Sequence, residues 1–75
     1  MVKVYSTDTC PWCVKAKQYL KSKNIEYTEV NVGEDMVGRE EMVKISGQTG
    51  VPVLDINGTA IVGFDKAAID KALNL

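Results

Sequence analysis

The chain has 75 residues, 45% of them hydrophobic and 25% charged, with a formal net charge of −1. That suffices for one domain over residues 1–75 around a thin core, since so short a chain buries only about 60–65% of its unfolded surface. Nine basic residues against ten acidic, with no block of like charge, exclude a nucleic-acid or anionic-lipid binder. No apolar run is long enough for a signal peptide or a membrane span, so the expected setting is the cytosol, where thiols are kept reduced.

In chain order, residues 2–5 (VKVY) read as a short strand, and polar residues 6–9 (STDT) lead from it to the first cysteine. A helix is expected from Pro11 to about Lys23, with Cys13, Ala16 and Leu20 at helical spacing on one side. Residues 25–30 (IEYTEV) alternate apolar and polar, as a half-buried strand does. After Gly33 a second helix is expected over about 35–46, with Val37, Met42 and Ile45 as its buried face and Met36 also suited to packing. Strands over 51–56 and 59–63 flank Asn57-Gly58, a hairpin signal because both positions tolerate positive φ. Asp65 caps a last helix striped by Ala68, Ile69, Ala72 and Leu73. The order β-α-β-α-β-β-α makes the first two strands parallel and the last two antiparallel. It predicts an α/β fold, a four-stranded mixed sheet flanked by three helices.

Cys10 and Cys13 are the only cysteines, and the chain has no histidine. As a staple their disulfide would close a ring of four residues, worth about 2 kcal/mol by loop entropy and tying only one helical turn to itself. As a metal site they supply two of the four ligands that a closed zinc centre needs, with no imidazole and no nearby carboxylate cluster. Two chains pooling their thiolates around zinc or an iron–sulfur cluster keep that reading open. A redox-inert interaction domain is the third alternative.

A redox role accounts for each residue of Cys-Pro-Trp-Cys. Pro11 suits the first helical position, where its missing N–H is not needed. Cys10 then stands at the N-cap, facing free backbone amides whose partial positive charge favours thiolate over thiol by at most ~2 kcal/mol. Cys13, one turn on, faces inward and holds its proton longer. Cys10 is thus the expected nucleophile on a substrate disulfide, and Cys13 the thiol that displaces the reduced product. Lys15 and Lys17, just past the motif, could add to the field at Cys10, but the expectation is that they are solvated surface lysines.

Strand, Thr9-Cys10-Pro11-Trp12-Cys13, helix, then Gly50-Val51-Pro52 opening a later strand and Val62-Gly63-Phe64-Asp65 opening the last helix resemble a glutaredoxin of the thioredoxin fold across the whole chain. The resemblance implies a cis proline at Pro52 beside the cysteines, with the Val51 backbone pairing with an incoming peptide or glutathione. It implies substrate contacts at Thr9, Pro11, Trp12, Arg39, Gly63, Phe64 and Asp65, Arg39 matching a position that meets a glycyl carboxylate. It also implies a monomer with no bound cofactor and no metal. Two departures bear on the electron donor. Glutathione-using relatives have lysine where Thr7 stands, and a second acidic residue where Lys66 follows Asp65. Gly63-Phe64 instead resembles the redoxins that serve ribonucleotide reductase and draw electrons from NADPH through a thioredoxin-reductase-type flavoprotein. Both glutathione and that flavoprotein are therefore candidate donors, with disulfide-containing proteins as the substrates.

Overall fold

The computed structural model describes residues 2–75. Strand β1 (Val2–Ser6) is followed by helix α1 (Pro11–Ser22), strand β2 (Thr28–Asn31), helix α2 (Met36–Ser46), strands β3 (Val53–Ile56) and β4 (Thr59–Val62), and helix α3 (Lys66–Leu73). The sheet order is β2-β1-β3-β4. β1 runs parallel to β2, with Tyr5 opposite Val30, and antiparallel to β3, with Val4 opposite Leu54. This is the mixed four-stranded α/β sheet expected from the element order.

The alternation along the central strands divides the core between the two faces of the sheet. Val2, Val4, Leu54 and Ile56 meet Ala16 and Leu20 of α1 and Ile69 of α3. Tyr5 and Val53 point the other way, to Val32 and Met42 of α2. Each fully buried Leu or Ile contributes about 1.5–3 kcal/mol, so these two apolar layers fix the helices on the sheet.

The β3–β4 turn forms as its sequence requires, with Asn57 at φ 52° and Gly58 at φ 93°. Gly58 N–H also donates to Asp55 Oδ1 at 3.1 Å. β1 and β2 each run one residue past their expected ends, and three other boundaries differ from expectation. Asn24 takes a left-handed φ of 57° and Ile25 N–H donates to the Leu20 carbonyl at 2.9 Å. Ile25 and Tyr27 therefore pack against the core from a loop, and β2 starts only at Thr28. β3 starts at Val53 rather than 51, since Pro52 has no N–H to give a ladder. β4 ends at Val62, before Gly63 turns to φ 79°.

The expected buried face of α2 is corrected more deeply. Val37, Ile45 and Met36 are 67%, 41% and 65% exposed, and the residues turned inward are Gly38 and Met42. These stand four apart on one stripe. Gly38 lies so close to β2 that a Cβ there would sit 2.3 Å from Val30 Cγ1. Asp35 starts the helix by accepting the Gly38 N–H at 2.9 Å.

Candidate active site

β1 ends at Ser6, and a turn through Asp8 and Thr9 delivers Cys10 to the N-cap of α1 with extended backbone (φ −103°, ψ 106°). Pro11 takes the first helical position, and Val14 N–H closes the first turn on the Cys10 carbonyl at 3.3 Å. In this geometry the Cys13 amide donates to Cys10 Sγ at 3.1 Å. Both cysteines are free thiols. Cys10 is partly exposed, whereas Cys13 is wholly buried. Burial first, then its side-chain hydrogen bond to Cys10, pushes the Cys13 thiol up to about 11. One sulfur thus meets solvent and the other waits behind it.

The Val51-Pro52 peptide is cis, as the resemblance implied, and Pro52 is buried. Its carbonyl accepts the Gly63 N–H at 2.8 Å, holding the entry to β3 against the exit from β4. Trp12, Val51, Pro52, Gly63 and Phe64 together line a groove of about 270 Å³. Trp12 is its exposed wall, at 56% exposure, with Lys15 Nζ 4.5 Å from the indole centroid. Phe64 does two things at once: it lines this groove and packs on the core, its ring centroid 6.4 Å from Trp12 and 5.9 Å from Tyr19.

The remaining expected contacts are dispersed. Thr9 is exposed in the turn before Cys10. Asp65 caps α3, accepting the Ala68 N–H at 3.1 Å, and lines a separate cleft between β4 and α3. Arg39 lines a shallow groove on α2 with Met36, Glu40, Val43 and Lys44. Lys66 Nζ stands 5.6 Å from the Tyr19 ring, whose hydroxyl donates to Asp70.

Lys17 is not the solvated lysine that the sequence suggested. Its Nζ donates to Glu29 Oε2 at 2.7 Å, and the same oxygen accepts from Ser6 Oγ at 3.0 Å. Glu29 is twelve residues away on β2, and only the helical spacing of Lys17 from Cys13 hints at this from the sequence. Among the described residues, no group of three or more His, Cys, Asp or Glu side chains is placed to hold a metal.

A dithiol at a helix N-terminus, one sulfur open and one enclosed, can exchange disulfides, and the sheet beneath it is that of thioredoxin-like proteins. The crystal structure of the thioredoxin-like protein BC3987 superposes with a TM-score of 0.90 at 28% identity, covering 96% of this chain and 99% of that one. The glutaredoxin family model matches residues 2–61. An uncharacterized glutaredoxin-like 8.6 kDa protein in the rubredoxin operon of Clostridium pasteurianum is 62% identical over 73 residues, 97% of each chain. Glutaredoxin 3 of Escherichia coli K12 is 41% identical over 64 residues, 85% of this chain and 77% of its own length.

The chain belongs to the glutaredoxin family, and its activity is that of a thiol–disulfide oxidoreductase. The family generally needs no bound cofactor and typically uses glutathione as donor. No helix among the described residues is long and apolar enough to cross a membrane.

Proposed function

We propose that the protein reduces protein disulfides through a Cys10/Cys13 cycle, acting in the cytosol as a monomeric single domain. Cys10 attacks the substrate disulfide and forms a mixed disulfide; Cys13 then attacks Cys10 and releases the reduced substrate. The observation that carries this reading is the 3.1 Å hydrogen bond from the Cys13 amide to Cys10 Sγ, which points a backbone donor of the helix start at the more exposed sulfur. Thr9, Pro11, Trp12, Val51, Pro52, Gly63 and Phe64 receive the substrate around that sulfur, with an extended segment pairing along Val51. Arg39 and Asp65 offer charge further out.

The donor we infer is NADPH acting through a thioredoxin-reductase-type flavoprotein, with glutathione the slower source. Lys66 supports this, since it puts a cation where glutathione-using relatives pair the ligand's amine with a carboxylate. So does the apolar wall of Trp12 and Phe64, which suits a protein surface.

Cys13→Ser is expected to accumulate covalent adducts with substrate proteins, seen by mass spectrometry as species that reductant removes. Cys10→Ser is expected to lose disulfide reduction entirely. A folded Cys10→Ser protein that still reduces a model disulfide would overturn the assignment.

A further inference from the structure

The dithiol cycle contains one step for which Cys13 is poorly disposed. Once Cys10 is held in a mixed disulfide, Cys13 must give up its proton to attack, yet its sulfur is fully buried. Two influences oppose that burial: a backbone hydrogen bond from Thr7 and the positive charge of Lys17.

Lys17 lies four residues beyond Cys13, one turn further along the same face of α1. Its ammonium is tied in place rather than waving in solvent. Glu29 Oε2 accepts from it at 2.7 Å and from Ser6 Oγ at 3.0 Å. Ser6 is fully buried at the end of β1. One carboxylate thereby joins α1, β1 and β2, and the Lys17 side chain keeps only 21% of its exposure. Cys10 and Lys17 are the charged or titratable groups acting on Cys13; Glu29, Tyr27 and Cys13 act on Lys17; and Lys17 and Lys21 act on Glu29. Lys17 is the only cation in the set that acts on Cys13 itself.

We propose that Lys17, braced by Glu29 and Ser6, is a positioning residue for the resolving step, its ammonium supporting the thiolate that must form at Cys13. The inference rests on the dithiol cycle proposed above. In this step Cys13 releases its proton to solvent and its thiolate attacks Cys10 Sγ. The Cys10–Cys13 bond forms as the bond from Cys10 to the substrate sulfur breaks. The electron pair leaves on the substrate sulfur, which takes up a proton. The cysteine pair ends oxidised by two electrons and the substrate disulfide reduced by two.

The test mixes reduced protein in stopped flow with an aromatic disulfide whose released thiolate is coloured. The first phase of colour reports attack by Cys10, and the second reports resolution by Cys13. Lys17→Met keeps the aliphatic stem and removes the charge. It is expected to slow the second phase about twofold at neutral pH and to displace its pH profile upward by about 0.3 unit, with the first phase slowed less. Lys17→Arg is expected to keep the original profile. An unshifted second-phase profile in folded Lys17→Met, beside a normal two-phase trace from the unaltered protein, overturns this inference alone. Release of one coloured thiolate rather than two per unaltered protein overturns the cycle and this inference together. A single phase releasing two, in which resolution outruns the first attack and needs no help from Lys17, overturns this inference alone.

Discussion

Cys13 shows how position alone separates two identical side chains three residues apart. Its thiol is held up to about 11 against an ordinary 9.0, first by burial and then by the Cys10 hydrogen bond. The folded state therefore holds this proton more tightly than the unfolded chain. Its contribution to stability is intact below pH 9.0 and is lost as pH rises towards about 11. At 1.36 kcal/mol per unit, the reduced protein is expected to lose about 2–3 kcal/mol over that window relative to Cys13→Ser, which cannot ionise. Tyr5, also raised by burial and by Glu41 and Asp55, titrates in both proteins and cancels in the difference. Denaturant unfolding at a series of alkaline pH values checks this; parallel curves for the two proteins would refute it. The contrast between the two sulfurs was legible in Cys-Pro-Trp-Cys, because a proline at the helix start dictates which cysteine caps and which faces inward. The tie of Lys17 to Glu29 was not, since a partner twelve residues away on another element leaves no local pattern.

At the scale of elements, their succession and the directions of the first and last strand pairs followed from periodicity and turn signals, while the order of strands in the sheet and the face of α2 did not. Apolar residues at 36, 37, 42, 43 and 45 surround that helix, and the burial of Gly38 carries no hydrophobic signal at all. What seats α2 is the missing side chain at Gly38, where the helix backbone meets Val30 of β2. Gly38→Ala gains about 1 kcal/mol of helix propensity but must push a methyl 2.3 Å from Val30 Cγ1, an overpacking worth about 1–3 kcal/mol. A net loss of about 1 kcal/mol is expected. Val30→Ala should be less damaging in the Gly38→Ala background than alone, because the two side chains then share one space. Additive losses in a double-mutant cycle would show that the contact does not set the helix position. The start of β2 was misplaced for a related reason: Ile25 and Tyr27 continue the strand's alternation, yet they serve the core from a loop that Asn24 has already turned.

For the molecule as a whole, the consequence of packing helices on both faces of one sheet is that distant segments of sequence meet in the groove that Trp12 walls. Pro52 and Gly63 arrive from the two strands of the hairpin, Trp12 from α1, and Phe64 from the approach to α3. Tyr19 ties these supports together by touching Phe64 and donating to Asp70, which joins α1 to α3. Lys66 sits at that junction, near the Tyr19 ring. A glutathione amine brought there meets a like charge, whereas a reductase surface need offer only apolar contact to Trp12 and Phe64. Oxidised protein is therefore expected to be reduced faster by a thioredoxin-reductase-type flavoprotein with NADPH than by millimolar glutathione. Lys66→Glu is expected to raise the glutathione rate about two- to fivefold, the range an exposed ion pair supplies, and to leave the flavoprotein rate less changed. Steady-state assays with each donor, at matched concentrations of the oxidised protein, decide it: glutathione turnover equal to or above the flavoprotein's would reverse the donor assignment while leaving the cysteine chemistry untouched.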